Sequence, residues 1–181
     1  MALLILGVLL WSLAHLGKRI VPGFHRSLKG AERPMVTGLI AVGIVLMVIG
    51  YRAADGAVFW GRSPAMVGVQ NLLMLVSVYL FAASGMKTAI ARKLRHPMLL
   101  GMILWSVSHL LVNGDVESFV LFGGLGLWAV LEIVLINRAV PNWVPPKAKP
   151  AKFEAMALAG TVIVYGAISG LHYLFGVPAF G

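Results

Sequence analysis

A chain of 181 residues, 60% hydrophobic and only 12% charged, has too few polar groups to cover a water-soluble domain of its size. Its net charge of +9 would suit a nucleic-acid ligand, but the basic residues stand in runs between apolar segments, which makes them a membrane-topology signal and excludes nucleic acid as the partner. Cysteine is absent, so disulfides, thiolate ligands, thiol nucleophiles and iron–sulfur clusters are excluded.

The first apolar segment, Ala2–Leu16, contains WSLAHL, Trp11 to Leu16. It has no basic n-region and no A-x-A cleavage site, so it reads as a retained helix that Ile20 and Val21 can lengthen. The connection that follows holds Lys18, Arg19, Arg26, Lys29 and Arg33, with Glu32 as its only acid. The second segment is Met35–Tyr51; its exit carries Arg52, Asp55 and Arg62. The third, Ala65–Ala83, includes the polar Gln70 and Asn71, suited to bonds between helices, and leads to Lys87, Arg92, Lys93 and Arg95. The fourth, Pro97–Val112, repeats the first motif as WSVSHL, Trp105 to Leu110. It ends at Asn113-Gly114-Asp115, where Gly114 suits the C′ position and Asp115 can cap the next helix. The fifth is Ser118–Ile136, followed by the proline-rich PNWVPPKAKPAK; the sixth is Phe153–Phe175.

A helix needs about 20 residues to cross ~30 Å of hydrocarbon, and these segments are apolar all round, which excludes the alternation of a barrel strand. The fold class is therefore all-α: a polytopic membrane protein of six transmembrane helices in one bundle, a single domain over 1–181 with the lipid bilayer as its first partner. Basic residues fill every second connection, so the three charge-rich loops are expected in the cytoplasm and both termini on the outer side. The repeated W-S-x-x-H-L raises an inverted repeat of three plus three helices, although no further match joins the halves.

An imidazole in hydrocarbon needs a partner. His15 and His109 each sit in an apolar segment, and two such residues favour a bis-histidine haem over separate hydrogen bonds to neighbouring helices. His109 lies about twelve residues into its segment, ~18 Å from the cytoplasmic end, whereas His15 is near that end. Side chains lean toward the N-terminus of their own helix, so the two imidazoles are expected to converge from opposite directions. Arg19, four residues after His15, is the leading donor for an anionic propionate, with Arg95 on the same side; plain topological charge is the competing explanation. His96, in Arg95-His96-Pro97, reads as an interfacial histidine, a hydrogen-bonding support or a rival ligand. Trp11 and Trp105, one turn before the histidines, suit stacking on a macrocycle or ordinary packing. Glu132 must be paired, and its depth suggests a cluster with Arg95 and His96. His172 is a further potential ligand at a depth nearer His109, and His25 is expected in a solvated loop.

L-x-H-L-x-K-R (Leu13 to Arg19), R-H-P-M-L-L-G (Arg95 to Gly101) and W-x-x-x-H-L-L-x-N-G-D (Trp105 to Asp115) resemble the NnrU family over essentially the whole chain. The resemblance implies a bacterial inner-membrane protein linked by name and gene context to nitrite and nitric oxide reduction. Its superfamily includes the zeta-carotene isomerase of plants and cyanobacteria, a membrane haem b enzyme, whose ligand histidines match His15 and His109 by motif and spacing. The plant enzyme's nearby cysteine corresponds to Ser106 here, so a thiolate ligand switch does not carry over.

The leading expectation is thus a haem b protein of the inner membrane with axial His15 and His109 on iron. Its activity would be redox or isomerase-type chemistry on an apolar, lipid-soluble substrate. The competing readings are a non-catalytic membrane factor supporting nitric oxide and nitrite reduction, and a small electron-transfer cytochrome b with a quinone as partner.

Overall fold

The computed structural model describes residues 1–28, 30–177 and 179–180, and of residues 24–26 the backbone only. The loop assignments of Lys29 and of the His25 and Arg26 side chains lie outside the described residues. Hydrophobicity decides the long helices: α1 (Ala2–Ile20), α3 (Glu32–Arg52), α4 (Pro64–Met86), α6 (Pro97–Val112), α8 (Gly124–Ala139) and α9 (Lys152–Leu174) fall on the six apolar segments. Short helices α2 (Pro22–Ser27), α5 (Ala89–Lys93) and α7 (Val116–Ser118) lie in the connections. Between α7 and α8 the chain forms a π-helical turn, Phe119–Gly123, so that Val116–Ala139 is one continuous apolar helix of 24 residues. Among the described residues five helices are long and apolar enough to cross a membrane; α6, with 16 residues, is shorter.

Local chemistry sets the ends. Ser63 caps α4 through Met66 N at 3.3 Å, with Pro64 opening the helix. Pro97 likewise opens α6. Asp115 accepts from Ser118 N at 2.7 Å, the cap expected of it. Gly114 follows the C-cap Asn113, at the expected C′ position, and is extended there, in a two-residue strand β2 (Gly114–Asp115) that pairs antiparallel with β1 (Val58–Trp60). The position requires glycine because the Trp60 indole lies 2.3 Å from where a Cβ would stand, a matter of close approach and not of left-handed backbone.

The helices pack in a row, α3–α1–α8–α6–α4–α9, with the π-turn touching both α1 and α6. Small residues allow close approach. Gly50 meets the Leu4 backbone and Gly43 that of Gly7, which sets α1 and α3 antiparallel. Gly124 meets Val8, Gly126 meets Ser106, and Gly101 packs on Ser77, whose hydroxyl donates to Gly101 O at 2.7 Å. Asn71 bonds across α4 and α9, receiving from Tyr165 Oη at 2.8 Å and donating to Ala179 O at 3.2 Å. Many side chains outside these seams are exposed and aliphatic, for example Val162 at 67% and Ile163 at 70%, as lipid-facing residues must be.

Two ends can be told apart. At one, Lys18, Arg19, Arg95 and Arg138 gather, and Glu154 of α9 accepts from Ala89 N of α5 at 2.6 Å. At the other, β1 joins β2, and Trp60 donates to Leu110 O at 3.0 Å. Helix α6 runs from the first end, where Arg95 and His96 bond to Val140 and Asn137, to the second.

Candidate functional site

The two repeated motifs build the same local device. His15 Nδ1 lies 2.8 Å from Trp11 O, and His109 Nδ1 lies 2.8 Å from Trp105 O, each one turn back in its own helix. A carbonyl can only accept, so each Nδ1 carries the proton and each Nε2 is left with its lone pair. This tautomer and this kind of support are what a neutral imidazole ligand to a metal requires. His172 makes the same bond to Ile168 O at 2.8 Å.

Aromatic rings enclose both histidines. His15 lies against Trp11 (ring centroids 4.5 Å) and Trp128 (4.8 Å). His109 stacks on Phe122 at 4.5 Å and 23° and touches Trp105 at 4.8 Å. Among the described residues no ring contact joins His15 to His109. Their reference points on the same continuous helix, Trp128 and Phe122, stand six residues apart, ~9 Å of rise. The two imidazoles thus pack at different levels of this helix.

Buried polar atoms without partners surround this region. The indole N–H groups of Trp11 and Trp128, the hydroxyl of Ser106 and one Glu132 oxygen make no hydrogen bond among the described residues. Buried donors ordinarily find acceptors. Two indole donors beside His15 therefore fit a site that accepts a polar group.

The charged residues are arranged differently from expectation. Glu132 is paired, but its partner is Arg19 of α1, not Arg95 or His96. The reason is rotational: Trp128 and Glu132, four apart on α8, face α1, where His15 and Arg19 repeat the same spacing. Arg95 donates to Val140 O, and His96 Nε2 is 2.8 Å from Asn137 Oδ1. These two residues tie α6 to α8, as the proposed cluster was meant to do, through other acceptors. The sequence signal that would have found the Arg19–Glu132 pair is this matched spacing on two helices.

Between the last turns of α1 and α8 a cavity of about 540 Å³ is lined by Lys18, Arg19, Pro22, Leu135, Arg138 and Ala139. Among the described residues no three His, Cys, Asp or Glu gather to hold a metal ion.

No curated protein and no solved structure matches the chain. The model of the family described as NnrU protein matches residues 3–179, nearly the full length, and the chain belongs to the NnrU family.

Proposed function

We propose that this NnrU-family protein is a haem b protein of the bacterial inner membrane with His15 and His109 as axial ligands. One observation carries the reading: both imidazoles are anchored through Nδ1 to a carbonyl one turn back, leaving both Nε2 atoms as donors in an aromatic, largely dry setting. The unpaired indole N–H groups of Trp11 and Trp128 add to it. Haem b, when bound, supplies reversible one-electron chemistry and a Lewis-acidic iron. The protein's own part is to hold the imidazole tautomers, exclude water with Trp11, Trp128, Trp105 and Phe122, and leave lipid-facing seams by which an apolar substrate or a quinone can approach.

The topology belongs to the same proposal. The alternation of basic and non-basic ends supports six crossings with both termini in the periplasm, α6 serving as a short sixth span, since it connects the same two ends as its neighbours. The link to nitrite and nitric oxide metabolism rests on the resemblance to NnrU proteins, and redox or isomerase-type activity on the superfamily's zeta-carotene isomerase.

A second reading, a non-catalytic membrane factor supporting denitrification, is favoured by the difference in level between the two histidines and by the close cover of aromatic rings. An absorption spectrum of the purified protein, expressed with ample haem precursor, decides between them. A Soret band that shifts on reduction supports the haem reading; a protein that holds no haem when reconstituted with hemin sinks it. An open coordination position in the reduced form would favour substrate chemistry over a small electron-transfer cytochrome.

A further inference from the structure

The cavity between the last turns of α1 and α8 is lined by three cations and no acid. The acids near it are already engaged. Glu132 holds Arg19, and Glu32 stands 3.8 Å from Lys18. Arg138 makes no hydrogen bond or ion pair among the described residues. Three cations against these two acids leave one net positive charge, that of Arg138, beside an open groove of about 540 Å³.

Its walls are of two kinds. Lys18, Arg19 and Arg138 form one; Pro22, Leu135 and Ala139 form the other. The apolar wall continues along α8, because Leu131 and Val134 precede Leu135 and Arg138 by one turn. Both are exposed, at 43% and 38%. A cationic pocket at the end of two apolar helices, opening onto an exposed aliphatic strip, matches an amphiphile with an anionic head and hydrocarbon tails. A soluble anion would use the cations and leave the strip without a purpose.

We propose that this pocket binds the phosphate headgroup of an acidic phospholipid, with Arg138 and Lys18 as donors and the acyl chains lying along Leu131 and Val134. Arg19 stays paired with Glu132, whereas Lys18 is held only loosely, 3.8 Å from Glu32 with its side chain 71% exposed, and can turn to the phosphate. The inference does not depend on haem, since it uses neither histidine.

The test uses full-length protein in mild detergent, stripped of lipid and then given phosphatidylglycerol, phosphatidylcholine or inorganic phosphate. Native mass spectrometry counts bound lipid, and thermal unfolding reports stabilisation. Phosphatidylglycerol should bind one per chain and raise the Tm. The double variant Lys18→Gln/Arg138→Gln should bind it about 25-fold more weakly, ~fivefold per cation removed. A Lys147→Gln/Lys149→Gln variant, altered outside the pocket, should bind as the parent does. Equal binding of phosphatidylcholine, or undiminished phosphatidylglycerol binding by the double variant, overturns the proposal. So does protection by millimolar phosphate equal to that by the lipid, which would make this a site for a soluble anion. Both substituted residues are exposed, so the variant should fold; its circular dichroism checks this directly.

Discussion

Arg19 of α1 and Glu132 of α8 form an ion pair one turn beyond the contact of His15 with Trp128. The two helices run parallel: Val8 meets Gly124, Trp11 meets Trp128, and Arg19 meets Glu132 in ascending order. The pair therefore fixes the register that seats His15 against Trp128.

Replacing Glu132 by leucine should lower stability by about 2 kcal/mol, since Glu132 is 7% exposed but the Arg19 side chain is 32% exposed and partly hydrated. Thermal unfolding of Glu132→Leu, Arg19→Gln and the double variant measures the coupling. Additive losses would mean that the pair does not hold the helices together.

For the haem reading, His15→Ala and His109→Ala each remove an expected iron bond and should yield haem-free or five-coordinate protein. His96 is occupied by Asn137, so His96→Ala should keep the parent's spectrum while costing about 1 kcal/mol of stability for the lost hydrogen bond. Loss of haem in His96→Ala, with a normal spectrum in His15→Ala, would reassign the ligand.

Close packing of α1 on α3 gives a sharper structural test. A Cβ at Gly50 would stand 2.3 Å from Leu4 N, whereas one at Gly68 meets nothing within 4 Å. Gly50→Ala should destabilise by about 1–3 kcal/mol, and Gly68→Ala should be neutral or add up to about 1 kcal/mol through helix propensity. Tm values in the same detergent compare them; equal effects would contradict the seam.

Orientation is open to reporter fusions. A periplasm-dependent reporter after the last residue should be active, and the same reporter within residues 141–150 inactive. The reverse pattern inverts the proposed topology.

Sequence legibility followed the length scale of the interaction. Hydropathy marked all six long helices, and Pro97 and Asn113 bounded α6 where it begins and ends. The Arg19–Glu132 pair was missed because depth along the membrane leaves Arg19, Arg95 and His96 as equal candidates. Only the rotation of α8, set by packing of Trp128, chooses among them. The β1–β2 ladder joins loops far apart in sequence through two register positions, too short for any alternating pattern to announce it. The Nδ1 anchoring of His15 and His109 owes nothing to the tryptophan rings: the acceptor is the carbonyl one turn back, as Ile168 O is for His172.

The single-file order of the helices has a consequence for biogenesis. Helices α1 and α3 can close as a hairpin as soon as both are made, and so can α4 and α6. In the finished array these hairpins meet chiefly through α8 and the π-turn ahead of it. A nascent chain that has emerged only as far as Val112 is therefore two hairpins free to drift apart in the bilayer. The fifth long helix is the keystone whose arrival turns them into one protein.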